Sequence, residues 1–115
     1  MRAYTGYTVS RAERDKGARG EREVAAVLRA HNLPAVRTPN SGGLQVRGDL
    51  TGVPGYHFEV KRQETARVSL WTRQAHAECG DAVPVVVWRQ NASQWFAILP
   101  LQDLAKLLDL ARLTA

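Results

Sequence analysis

The stretch Asp49-Leu50-Thr51-Gly52-Val53-Pro54-Gly55-Tyr56-His57-Phe58-Glu59-Val60-Lys61 decides the fold. Two strand-forming segments flank Pro54-Gly55, the signature of a β-hairpin with a tight turn. Side chains alternate along a strand, so Glu59 and Lys61 share one face of the second segment. Asp49 opens the first. A two-residue turn at Pro54-Gly55 would pair Val53 with Tyr56 and set Asp49 opposite Val60, on the wrong face for Glu59. The expectation is therefore a three-residue loop over Val53-Pro54-Gly55, or a bulge, that pairs Asp49 with Glu59.

Upstream, residues 1–15 show no helical or strand period and read as a basic N-terminal arm. Residues 16–115 then form a single domain. Asp15 can cap a helix running from about Lys16 or Gly17 to His31, stopped by Asn32 and Pro34. Its apolar positions are Val24, Ala25, Val27 and Leu28. Stepping back three and four residues from Val24 and Ala25 lands on Glu21, in line with the buried stripe. Glu23 lies nearer its edge, and Arg22 and Arg29 point away. A carboxylate facing a core costs free energy unless a cation or hydrogen-bond donors meet it. Ala35 to Thr38 reads as a short strand, and Pro39-Asn40-Ser41-Gly42-Gly43 as a loop.

Downstream, Leu70 to Cys79 reads as a helix with Gly80 as its C-cap. Val83 to Trp88 and Trp95 to Leu99 are strands. Pro100 opens an amphipathic helix to about Leu113, whose leucines at 101, 104, 107, 108 and 110 make a broad apolar face. The order is α-β-β-β-α-β-β-α. It predicts an α/β fold, a small mixed β-sheet flanked by helices.

At 115 residues and 44% hydrophobic, the chain suits one small globular domain. No apolar run approaches the roughly 20 residues a membrane helix needs, and the N-terminus lacks the apolar core of a secretory signal. The single Cys79 cannot form an internal disulfide and reads as a small buried hydrophobe, which suits a reducing cytoplasm. A net charge of +5 points to a polyanionic partner, with nucleic acid first. Lysine is scarce, at Lys16, Lys61 and Lys106 alone, so Lys61 beside Glu59 stands out.

The chemistry follows from three carboxylates, Glu21, Asp49 and Glu59, converging beside Lys61. Without compensation they repel one another. A divalent cation removes the conflict, and oxygen ligands of this kind suit Mg2+, with Mn2+ able to substitute. Such an ion polarises a phosphodiester and acidifies water. Lys61 can orient or deprotonate that water, or stabilise charge developing on the phosphate. No Ser-His-Asp arrangement, nucleotide-binding Walker loop or zinc pattern competes. His31, His57 and His76 share no ligand spacing, and His57 reads as a hairpin surface residue. Trp71, Trp88 and Trp95 read as core or interface.

These residues resemble a known family. Asp49 followed by Glu59-Val60-Lys61 resembles the PD-(D/E)XK nuclease motif. Lys16-Gly17-Ala18-Arg19-Gly20-Glu21-Arg22-Glu23 is similar to the opening helix of archaeal-type Holliday junction resolvases, and Val36 to Gly42 resembles their V-V-R-S-x-x-S segment. The resemblance covers roughly residues 16 to 62. It implies a restriction-endonuclease-like fold, with Glu21, Asp49, Glu59 and Lys61 as the catalytic set. It implies Glu21, Asp49, Glu59 and the backbone carbonyl of Val60 as metal ligands. It also implies DNA contacts from Arg22, Arg37 and Ser41, and Arg62 follows the active strand where it can track a DNA backbone. The motif's proline is replaced by Gly48.

The expected function is a homodimeric, Mg2+-dependent endonuclease that resolves four-way DNA junctions by paired strand cuts. A four-way junction offers two equivalent strands, and a two-fold dimer offers two matching sites. Three other readings stay open: a nicking, restriction or repair nuclease with the same core, a DNA-binding module without catalysis, and a basic subunit of a larger assembly.

Overall fold

The computed structural model describes residues 10–39 and 48–114. Helix α1 spans Arg11–Ala30, starting before the expected Lys16. The reason is a capping box. Ser10 Oγ accepts the Glu13 N–H at 3.1 Å, and Glu13 Oε1 accepts the Ser10 N–H at 3.0 Å. Residues 11–15 are thus helical rather than part of an arm, while residues 1–9 of that arm lie outside the described residues.

Strand β1 (Val36–Arg37) pairs antiparallel with β2 (Leu50–Thr51), Val36 opposite Thr51. Strand β3 (Tyr56–Arg62) runs parallel to β4 (Val83–Arg89), and β5 (Phe96–Ile98) runs antiparallel on the far side of β4. Helix α2 (Val68–Glu78) supplies the crossover that a parallel pair requires. Helix α3 (Leu101–Thr114) follows β5. The element order is the one expected, and the β3-β4-β5 sheet is mixed.

The hairpin takes the bulged alternative, with a shorter turn and a different partner for Asp49 than expected. Tyr56 N–H bonds Val53 O at 3.4 Å, so the turn has two central residues, Pro54 and Gly55, rather than three. The ladder does not continue from it, because Leu50 and Thr51 pair with β1 instead. Asp49 meets β3 again through its N–H, which donates to Phe58 O at 2.8 Å. The segment therefore bulges between Asp49 and Val53, and Asp49 lies across from Phe58, not Glu59. Gly52 sits in this bulge at φ +97°, where a Cβ would collide with the backbone of Pro34. Only glycine fits there.

The two faces of the larger sheet are separate. Val24 and Ala25 of α1 pack with Phe58 and Val60 of β3 and Val85 and Val87 of β4. The contact stripe of α1 follows Gly20, Val24, Ala25 and Leu28, which leaves Val27 47% exposed despite its expected place in the core. On the opposite face, Trp71 and Ala75 of α2 pack on Val86, with Trp88 and Ile98 beside them. Cys79 is half-buried, its thiol donating to His76 O at 3.2 Å. Helix α3 contributes no buried residue, and its leucines are exposed. Among the described residues no helix is long and apolar enough to cross a membrane.

Candidate active site

The site grows from the alternation of β3. Phe58 and Val60 face α1, so His57, Glu59 and Lys61 face α2. Glu59 is buried at 5% exposure, and His57 is equally buried beside it. His57 is therefore not the surface residue expected from its hairpin position. Its Nε2 is hydrogen-bonded to Glu59 Oε2 at 2.7 Å. Lys61 extends towards α2, where its Nζ donates to Gln74 Oε1 at 3.4 Å.

Asp49 joins this group from the bulged segment. Its Oδ2 accepts the Val60 N–H at 2.7 Å. A strand residue's N–H and C=O project to the same edge, so the Val60 carbonyl opens on the Asp49 side of β3. Gly48 explains the missing motif proline. Its φ is +82°, which a proline ring fixed near −65° cannot adopt. A Cβ there would also come within 3.1 Å of Phe58 O and 3.2 Å of His57 Nδ1.

Glu21 approaches from α1. Its Oε1 accepts Arg37 Nε–H at 2.6 Å, which leaves its second oxygen free of that ion pair. The second acid of the Glu21-Arg22-Glu23 run has a different partner set. Glu23 pairs with Arg89 at 3.0 Å and accepts Trp95 Nε1–H at 3.2 Å, tying α1 to β4 and to the approach to β5. The two neighbouring glutamates thus have separate partners, Arg37 for Glu21 and Arg89 with Trp95 for Glu23.

Burial, and then mutual repulsion, holds protons on two of the site's acids. Burial raises Asp49 from its ordinary value to about 6, with Glu21 adding repulsion and Lys61 and the Val60 N–H opposing the rise. Burial and then the charges of Asp49 and Glu78 raise Glu59 to about 8. Glu21, Asp49 and Glu59 thus form a chain of neighbouring carboxylates beside Lys61. These oxygen donors, short of cationic compensation, fit a hard divalent ion. A His57-Glu59-Glu78 cluster able to hold a metal ion adjoins them, with ligand atoms within 4.8 Å of one another.

A groove of about 870 Å³ opens beside the site, between the first half of α1 and α2. Lys16, Lys61, Arg62 and Arg67 line it. Arg62 Nε is buried without a hydrogen-bond partner among the described residues. Arg22 is exposed on α1 and Arg37 is half-buried against Glu21. Ser41 lies outside the described residues.

Sequence reasoning passed over Gln74 and Glu78. A signal was present, since Trp71, Gln74, Ala75 and Glu78 fall on one side of α2 at helical spacing. It had also set aside His57, which shares the parity of Glu59 and Lys61.

Residues 12–113 match the family described as phage putative PDDEXK endonuclease. No curated protein matches the chain. Among solved structures, the chain resembles Hjc of Archaeoglobus fulgidus, described as a Holliday junction resolvase from an archaeal hyperthermophile. The TM-score is 0.51 at 22% identity, covering 76% of this chain and 74% of that one. The likeness shows a shared fold, restriction-endonuclease-like, as expected from the motif.

Proposed function

This chain belongs to the phage putative PDDEXK endonuclease family, and from that premise we propose that it is a Mg2+-dependent, structure-selective endonuclease acting on four-way DNA junctions as a homodimer. The observation that carries the reading is the clasp of Asp49 on Val60 N–H, which sets one buried acid against Glu59 and Lys61.

In this reading Asp49, Glu59 and Glu21, with the Val60 carbonyl, would hold Mg2+ or a substituting Mn2+. The ion supplies Lewis-acid polarisation of the scissile phosphate. Lys61, held towards α2 by Gln74, orients the attacking water and offsets charge that develops on the phosphate. Arg37 fixes the Glu21 carboxylate through Nε–H, and its terminal N–H groups contact a phosphate oxygen. Arg22, Arg62 and Ser41 contact the DNA backbone, Arg62 from the groove that Lys16, Lys61 and Arg67 also line.

Support for the junction comes from the fold shared with an archaeal resolvase. Support for the dimer comes from α3, whose leucines lie open: Leu101 at 78%, Leu108 at 61% and Leu113 at 66%.

The test is cleavage of a labelled four-way junction with Mg2+, beside a linear duplex of the same sequence, using wild type and Glu59→Gln. Symmetric cuts in the junction alone, lost in the variant, support the proposal. Equal cutting of both substrates keeps the nuclease and discards the junction. Binding without cutting leaves a DNA-binding module.

A further inference from the structure

The core of the cleavage site is made of oxygen donors, yet an imidazole lies against one of its acids. His57 and Glu59 are each 5% exposed. Glu78, at the last turn of α2, brings Oε1 to 4.0 Å from His57 Nε2. These ligand atoms and that of Glu59 all lie within 4.8 Å of one another. A Cβ at Gly48 would stand 3.2 Å from Nδ1 of the His57 ring, while Nε2 faces the Glu59 and Glu78 carboxylates.

We propose that His57, Glu59 and Glu78 form a second cation site, selective for a borderline transition ion such as Zn2+ over Mg2+. One nitrogen and two carboxylate oxygens are a three-ligand set that leaves a fourth tetrahedral position open. Imidazole favours zinc and its neighbours, whereas magnesium takes oxygen donors in near-octahedral array. Adjacent donors around tetrahedral zinc stand about 3.3 Å apart for Zn–N and Zn–O bonds of about 2.0 Å. The 2.7 Å His57–Glu59 contact must open slightly and the 4.0 Å His57–Glu78 contact close. The Glu78 side chain is 44% exposed and can make that movement.

Glu59 belongs to both groups of ligands. An ion held by His57 and Glu78 draws this carboxylate away from Asp49, so zinc acts as a brake on Mg2+-supported cleavage. The site itself does not rest on the nuclease reading.

The experiment titrates zinc chloride calorimetrically into the full, metal-free chain without DNA, for wild type, Glu78→Gln and Asp49→Asn. Folding of each is checked by thermal unfolding. Wild type and Asp49→Asn should bind zinc, and Glu78→Gln should bind it more weakly by more than roughly tenfold. Absence of zinc binding in wild type, equal binding in Glu78→Gln, or loss of binding in Asp49→Asn would overturn the proposal. The last outcome assigns the ion to the cleavage centre. Junction cleavage with Mg2+ is scored separately, so either reading can fail while the other stands.

Discussion

Asp49 holds β3 twice: its N–H donates to Phe58 O at 2.8 Å and its carboxylate accepts the Val60 N–H at 2.7 Å. One residue is therefore both a proposed ligand and the link that fixes the bulged segment to the site strand. Asp49→Asn keeps an acceptor oxygen and should stay folded while cleavage falls by at least ~100-fold. Asp49→Ala leaves the Val60 N–H unsatisfied and should cost a further ~1–3 kcal/mol of stability. Junction cleavage and denaturant unfolding of the two variants separate these roles.

The raised proton affinities of Asp49 and Glu59 set the sign of a pH effect. Both folded-state values, about 6 and about 8, lie above the ordinary carboxylate range. Between that range and these values the folded chain binds more protons than the unfolded chain. Without metal, stability should fall as pH rises from about 4 to about 8. Glu59→Gln should flatten the slope, and Mg2+ should recover part of the loss. Thermal unfolding across pH, with and without Mg2+, measures it; a metal-free stability that climbs over this window would contradict the charge balance described.

Lys61 donates to Gln74 rather than pairing with a carboxylate. Lys61→Ala should lower the cleavage rate by roughly 10²–10³ while calorimetric Mg2+ affinity holds or rises, because a positive charge acting on Asp49 and Glu59 is lost. A parallel collapse of metal affinity would make the lysine a structural counter-ion instead.

Gly48 occupies φ +82° with its backbone against His57 and Phe58. Gly48→Ala should destabilise the chain by at least ~1–2 kcal/mol from backbone strain alone. Restoring the motif's proline at this position should be worse, since the ring cannot take a positive φ. Unfolding midpoints of the two variants give the order.

The open leucines of α3 should be covered in a dimer. The pair Leu104→Glu and Leu108→Glu, on neighbouring turns of one face, should convert the chain to a monomer by sedimentation equilibrium and leave the β3 site intact. A wild type that sediments as a monomer at all concentrations would remove the dimer from the reading.

Much of this was legible because periodicity is local. The parity of Glu59 and Lys61, the helical phase that picked Glu21 over Glu23, and the order of elements need only neighbouring residues. What escaped depends on distant ones. The partner of Leu50-Thr51 is β1, which no pattern within the hairpin reveals. His57 is buried because α2 lies over it, and Glu78 reaches it from the far end of that helix. The start of α1 is a different case: the Ser10–Glu13 box was present in the sequence, but Asp15 offered a competing cap nearer the apolar run.

The alternation of β3 has a consequence for how the chain acquires activity. Consecutive residues Phe58, Glu59, Val60 and Lys61 supply core, acid, core and lysine in turn. A slip of one position would carry Glu59 and Lys61 into the apolar layer and expel Phe58 and Val60. The carboxylates can thus meet only in a chain whose hydrophobic layer has already closed correctly. On the proposed site, then, cutting would require the same closed layer that holds the fold together, and a misregistered copy would lack it.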